Sequence, residues 1–522
     1  MDRKWWTLLV VCAATFMLLL DVTIVVVALP EIQHGLGASF SDVQWVIDAY
    51  ALTLASALLT AGSLADRYGR RYLFTIGLSV FTVGSLLCGV AQSSIMLIVS
   101  RAFQGIGGAT LFATSLALLA QTFHGKERGV AFGVWGAITG VATSLGPILG
   151  GAITSGISWR GIFLVNLPIG VAALVITRWK VDESREVHAH RPDWPGFASL
   201  TAGLVALVYG LIRAGEISWS DTGAIVCLCV AAVLLSAFVV IEARVAHPMF
   251  DLSLFRVPTF VGGSIAAFAM NGSLFAVLVY LVLFLQDDLG YNALGTGVRL
   301  LLISGGSLVA ATAAGRLSSH MPVRWLIGPG LTLVGVGLLV MSGLDGASSW
   351  TALVPGFLIA GVGSGMVNPP LASTAVGVVE PQRSGMASGV NTTFRQIGIA
   401  TSIAALGSIF TATLRRNLDH TLAQVPGLSG HGPQITSAIQ QGNVGSIFGA
   451  IPPAQRARLA ASIHSSFASS LNDLLVVTGI VALVGAVCSA ALIRTKDFVV
   501  SRPAGARAEQ PGLVTLEGPP AL

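Results

Sequence analysis

Three ionisable side chains stand inside long apolar runs of this 522-residue chain: Asp21 in LDVTIVVVALP, Asp48 in VQWVIDAY and Arg101 in IVSRAFQG. A charge at the centre of a membrane helix costs about 2.5–3.5 kcal/mol even on lenient scales, so such groups pair, line a polar cavity or exchange protons. Asp21 is expected about nine residues, ~13 Å, before the outer end of a first span. Asp48 is expected about six residues, ~9 Å, past a helix start at Ser41–Asp42. Ser41 and Gln44 would make the capping box of that start. The two carboxylates thus stand at similar depth on consecutive helices, and in a common cavity each would raise the other's proton affinity, so that the pair binds one proton or releases it to accept a cation. The plainer reading of each is a structural hydrogen bond. Arg101, about six residues into a fourth span, either meets a carboxylate or polar cavity, or snorkels to the nearer face.

The elements that position these groups follow from composition. The chain is 54% hydrophobic and only 10% charged, against about 25% charged for soluble domains. A bilayer-spanning helix needs about 20 apolar residues, and about fourteen such segments are present. Their approximate limits are 7–29, 43–62, 72–91, 95–118, 131–154, 160–178, 196–213, 223–241, 259–285, 294–315, 324–343, 351–372, 386–412 and 472–494. Lys and Arg collect in every second loop, as at Arg67, Arg70 and Arg71, at Lys126 and Arg128, and at Arg178 and Lys180. The positive-inside rule then puts both termini in the cytoplasm of a multi-pass protein of the cytoplasmic (plasma) membrane. The net charge of +5 and pI of about 9.1 express this topology, not nucleic-acid binding.

The basic start followed by a long apolar run reads as an uncleaved first span. The five cysteines lie in apolar runs and read as packing, and Cys227 and Cys229 do not suit a metal pair. No metal site, organic cofactor or enzymatic cluster is expected, and no phosphate-binding Gly-x-x-x-x-Gly-Lys-Ser/Thr loop occurs. ATP is therefore not the expected direct energy source.

A faint repeat divides the chain. GSLADRYGRR (62–71) is echoed by AGRLSSHMPVR (314–324), GIGGA (105–109) by GVGSG (361–365), and KERG (126–129) by PQRSG (381–385). The constant offset of 252–256 residues implies two parallel six-helix halves with an extra helix pair between them. The expected units are 1–180, 181–250 for the extra pair, 251–496, and a disordered tail at 497–522. A long outer loop at 413–471 would carry an amphipathic surface helix in PPAQRARLAASIHSSFASSLNDLL.

Further motifs fall on this frame. In GSLADRYGRR, Gly62 would permit close helix approach and Asp66 would cap or charge a helix end. Arg67, Arg70 and Arg71 around Gly69 would face carboxylates or lipid headgroups. Span five carries a small-residue stripe, Gly140, Ser144, Gly146, Pro147, Gly150 and Gly151, which lets backbones touch and places a kink at Pro147. Trp45, Asn271 and Asn368 are candidate substrate contacts, though helix–helix hydrogen bonding is the commoner use of such asparagines. Asp287 and Asp288 read as a solvated helix end.

These motifs, with RAFQGIGGA (101–109), WRGIFLVNLPIG (159–170) and FRQIG (394–398), resemble the fourteen-span drug:proton antiporter family of the major facilitator superfamily. The resemblance implies an all-α integral membrane fold of that superfamily and export of drug-like, hydrophobic or cationic small molecules, with the proton as coupling ion. It implies a role in proton coupling for Arg101 and a conformational latch at 62–71, whose second copy has lost its acid. It marks the stripe of span five as the antiport helix. Asp21 is the expected proton carrier, with Asp48 or Arg101 adjusting it. The expected partners are a small-molecule substrate and the lipid bilayer, with the chain acting as a monomer. Uptake on the same scaffold and a non-transporting membrane sensor are the other classes considered.

Overall fold

The computed structural model describes residues 2–498, except 185–191, 247, 319, 381–383, 423–434 and 436–452. Among the described residues, fourteen helices are long and apolar enough to cross a membrane. In chain order they are α1 (Arg3–Leu36), α2 (Phe40–Tyr68), α3 (Arg70–Gly89), α4 (Ser94–Thr122), α5 (Val130–Gly156), α6 (Gly161–Lys180) and α7 (Trp194–Glu216). They continue with α8 (Thr222–Arg244), α9 (Pro258–Asp288), α10 (Ala293–Leu317), α11 (Arg324–Met341), α12 (Trp350–Gly377), α13 (Gly385–Leu422) and α14 (Gln455–Leu492).

Local chemistry explains the boundaries. α1 stops at Gly37, whose φ of +58° closes the last turn through bonds to the Gln33 and His34 carbonyls. α2 then starts at Phe40, earlier than the spacing suggested. Its capping box is Ser39 with Asp42, each side chain taking the other's backbone N–H at 3.1 and 2.9 Å. Ser41 is already inside the helix. Gln44 is drawn across the protein instead, donating to the Ile403 carbonyl at 3.1 Å.

The largest correction lies at the end of the chain. α13 runs on to Leu422 and α14 begins near Pro453, so much of the expected loop 413–471 is helix. The amphipathic segment does not lie flat on a surface. Its buried residues Leu459, Phe467, Ala468 and Leu471 continue one apolar face into α14. Asn417 donates to Ser470 at 3.1 Å, and Arg416 pairs with Asp473, joining the two extensions. The expected disorder of the tail beyond Phe498 lies outside the described residues. Among the five thiols, all free, Cys229 is exposed on α8 instead of packed inside.

The first six and last six helices each pack among themselves. Where the halves meet, α2 lies on α13 and α5 lies on α10. Helix two of each half therefore packs on helix five of the other, as a parallel repeat about an axis through the bundle requires. The added pair, central in sequence, is lateral in space: α7 packs on α8, α13 and α2, beside that second seam.

The α5 stripe makes the first seam possible. A Cβ at Gly150 would sit 2.8 Å from the Ile24 carbonyl of α1, and Gly151 faces the Ala293 carbonyl of α10. Gly297 of α10 in turn rests on the Pro147 carbonyl. Ser144 donates to the Ser304 carbonyl at 3.3 Å. Pro147 itself lies inside a helix that runs unbroken from Gly125 to Gly156. Nearer the chain ends, Gly133 and Gly136 face open space. The contacts thus gather toward the face opposite the termini. Gly150→Leu should overfill the α1–α5 contact and cost about 1–3 kcal/mol. Gly136→Leu should not, and thermal unfolding of the two purified variants compares them.

Candidate functional site

Asp21 and Arg101 meet. The Arg101 guanidinium donates to the Asp21 carboxylate at 2.5 Å, with the two residues 0% and 1% exposed. The snorkelling alternative for Arg101 is thereby excluded. Its Nε donates to the Val46 carbonyl of α2 at 3.1 Å, and the same Nη1 that meets Asp21 also donates to Gln104 at 2.8 Å. The ring of Tyr50 lies 4.1 Å from the guanidinium carbon, a cation–π contact. Gly105 leaves room for this, since a Cβ there would strike the Tyr50 carbonyl at 2.7 Å.

The second oxygen of Asp21 accepts from Gln104 at 3.0 Å and from Asn166 at 3.4 Å. Gln104 and Asn166 both donate to Ser85, whose hydroxyl donates to the Phe163 carbonyl at 2.9 Å. Five helices of the first half, α1, α2, α3, α4 and α6, thus close one charged, hydrogen-bonded knot in an apolar core. Gln104, Asn166 and Ser85 escaped the sequence reading. Gln104 carried a signal, being one helical turn from Arg101 on the same face, and Asn166 is the polar member of FLVNLP.

Among the described residues, Asp21 and Asp48 share no hydrogen-bond partner. Asp21 is satisfied inside the first half. Asp48 is also 0% exposed, but neither of its oxygens has a hydrogen-bond partner. It stands one turn from Gln44, on the α2 side that meets Tyr280 of α9. Tyr280 donates to the same Ile403 carbonyl as Gln44, at 2.9 Å. Asp48 therefore belongs to the contact between the halves.

The candidate substrate residues are dispersed. Trp45 turns to α7, its ring 6.4 Å from that of Tyr209. Asn271 and Asn368 donate to carbonyls of their own helices, Ala267 and Ser364, instead of bridging helices. Asn271 opens a π-helical turn, Asn271–Phe275. Asp288 is not a solvated end: its side chain is buried and pairs with His464 at 2.6 Å, while Asp287 lies 3.7 Å from His34.

At the face carrying the chain ends, Asp66 accepts two bonds from Arg70, at 2.9 and 3.1 Å. Arg70 also reaches Gln121 of α4 at 2.9 Å. Asp66 caps no helix. That role falls to Glu183, which accepts from the N–H groups of Arg71 and Tyr72, both at 3.0 Å. Gly69, at φ +116°, brings α3 against Glu183 so closely that a Cβ would meet the carboxylate at 2.6 Å. Arg71 donates to the Val181 carbonyl, and Arg67 lies over the Tyr68 ring. Gly62, expected at a close approach, faces open space. Among the described residues no group of three or more His, Cys, Asp or Glu is placed to hold a metal ion.

The profile of the Major Facilitator Superfamily matches residues 11–403. The chain is similar to the multidrug resistance protein Stp of Mycobacterium tuberculosis, at 36% identity over 422 residues, 80% of this chain and 78% of that protein. It is similar to the tetracenomycin C resistance and export protein of Streptomyces glaucescens, at 32% identity over 488 residues, 93% of this chain and 90% of that protein. Among solved structures, it shares its fold with a bacterial homologue of the human lysosomal transporter Spinster, at a TM-score of 0.62 and 17% identity, covering 96% and 99% of the two chains.

The knot makes an asymmetric demand on stability. Arg101→Ala leaves a buried carboxylate facing no cation and should cost about 3–5 kcal/mol. Asp21→Asn with Arg101→Met removes both charges and should recover most of that loss. Thermal unfolding of the two purified proteins checks the order, and equal losses would count against the pair as the core of the first half.

Proposed function

The chain belongs to the Major Facilitator Superfamily, and from that premise we propose that it exports drug-like, hydrophobic or cationic compounds in exchange for protons. The observation that carries this reading is the Arg101–Asp21 pair, an ion pair sealed in hydrocarbon and bonded to five helices. A static core needs no such charge. In a transporter, a proton on Asp21 cancels the charge that Arg101 faces, and the knot must rearrange.

The geometry supports a route from that rearrangement to the seam. Thr23 and Ile24 follow Asp21 on α1 and seat directly against Gly146 and Gly150 of α5. The next turn of α1 accepts a bond at Val27 from Gln286 of α9, at 2.8 Å. α5 in turn lies on α10. A shift of α1 at Asp21 therefore bears on the α5–α10 seam and on α9 of the second half. Two states that differ in proton affinity are all that coupling requires. One proton entering down the membrane potential supplies about 2.3 kcal/mol per 100 mV. Asp48, unpaired at the contact between the halves, is the second proton acceptor in this scheme.

The Asp66–Arg70–Gln121 bonds and the Glu183 cap hold the loop after α2 in one arrangement and act as the latch on the cytoplasmic side. The basic loops support placing both termini there. One chain contains both halves and every residue of the knot, which supports a monomer as the working unit.

Everted membrane vesicles test the reading. An imposed proton gradient, acid inside, should drive uptake of a fluorescent substrate such as ethidium and release protons on substrate addition. Asp21→Asn should abolish the proton release while ethidium still binds. Persistence of substrate-induced proton release in Asp21→Asn would remove Asp21 as carrier, and loss of substrate from the vesicles would indicate import in the cell. Asp66→Asn, which keeps the side-chain volume but removes the charge, should lower the transport rate about tenfold, equivalent to ~1.4 kcal/mol, at equal protein level. An unchanged rate would leave Asp66 with no latch function.

A further inference from the structure

A second pair of acids lies outside the first half. Asp193 precedes α7 and Glu242 is in the last turn of α8, and they are 6% and 3% exposed. One oxygen of each is accounted for: Asp193 caps α7 by accepting from the Gly196 N–H at 2.9 Å, and Glu242 accepts from the Phe250 N–H at 3.1 Å. The other two, Asp193 Oδ2 and Glu242 Oε1, are buried without a hydrogen-bond partner. They converge on one notch, since a Cβ at Gly196 would lie 2.6 and 2.7 Å from them.

Two carboxylates cannot bond without a donor between them. Among the described residues, the charged groups on the neighbouring segments include Arg244, Asp251, Arg256, Asp66, Arg67 and Arg395. Among the described residues, no hydrogen bond or ion pair of either acid goes to any of them. A metal cation does not suit the gap. Calcium takes six to eight oxygens and magnesium a full octahedron, whereas only two oxygens here lack an N–H partner. A single proton needs those two alone.

We propose that Asp193 and Glu242 share one proton, forming a proton-binding site in the extra helix pair that clamps the linker 249–255 between the two halves. Through the Phe250 N–H, Glu242 fixes a segment whose side chains reach both. Met249 accepts a bond from Thr60 of α2 at 3.5 Å, and Phe250 and Phe255 pack on Phe394 of α13 at 6.3 and 5.9 Å. Removing the proton sets two negative charges face to face in a buried notch. The ends of α7 and α8 then separate, and the aromatic segment leaves the seam. The site does not depend on the export reading.

Limited trypsin digestion of the purified full chain tests this. Arg244 and Arg256 are exposed and flank the segment. Their cleavage is followed by mass spectrometry from acid to alkaline pH, in wild type and in Glu242→Gln, which keeps the Phe250 bond and supplies its own donor to Asp193. The ratio of the two cleavage rates cancels the protease's own pH dependence. It should be near unity in acid and rise several-fold in favour of wild type as pH increases. Asp193→Asn, which keeps the cap of α7, should behave as Glu242→Gln does. The infrared carbonyl band of a protonated carboxyl group should lose one component in each variant. A ratio that stays flat with pH, or a band unchanged in both variants, would overturn the shared proton.

Discussion

A guanidinium in hydrocarbon tolerates no unsatisfied face, and the first six helices are arranged around that demand. Arg101 takes a carboxylate from α1, a carbonyl from α2, an amide from its own helix and an aromatic face from α2. Each partner is then held by a further one: Asp21 by Gln104 and Asn166, and both amides by Ser85. Closing this network needs backbones near enough for short side chains to reach. That is why glycines line α4 where it meets α2 and α3: Gly105 against the Tyr50 carbonyl and Gly107 against the backbone of Phe81. Among the described residues, the Tyr50 hydroxyl and Asn166 Oδ1 at its edge are buried without a hydrogen-bond partner, so the network closes around the charges and not around every polar atom.

The second constraint is mobility. Two halves that rock against each other, as the proposed export cycle requires, must touch without interlocking. The seams meet it with small residues and single bonds: Ser144 to the Ser304 carbonyl, Thr393 to the Ala55 carbonyl, and Gly151 and Gly297 where side chains would otherwise lock. The charged knot stays out of the seam but is one turn from it through Thr23 and Ile24. Charge and motion are thereby kept on adjacent turns of one helix, α1. Asp48 stands on the other side of α2, where the halves meet through Gln44 and Tyr280. At the face of the termini, Glu183 and the Asp66–Arg70 pair order the turn between α2 and α3. The extra helices rest on α2 and α13 through an aromatic linker.

Hydropathy and charge, read along the chain, determined the span number, because a bilayer imposes about 20 apolar residues per crossing and a basic bias on one side, and the repeated motifs pointed to two parallel halves; only packing placed the extra pair beside the second seam. The same reading singled out Asp21 and Arg101, since an ionisable residue in an apolar run is costly wherever it points. The tertiary structure decided what each of them meets. Asp21 and Arg101 are 80 residues apart, and no local period could join them while leaving Asp48 alone. The Ser39–Asp42 capping box moved the start of α2 to Phe40, and packing turned Trp45 toward Tyr209 and carried α13 and α14 past the expected membrane limits. Those extensions were hidden because polar helical turns outside hydrocarbon carry no hydropathy signal. The cap from Glu183 and the notch between Asp193 and Glu242 were hidden for a related reason: each joins residues from separate helices or loops, and only their contact gives them a chemistry.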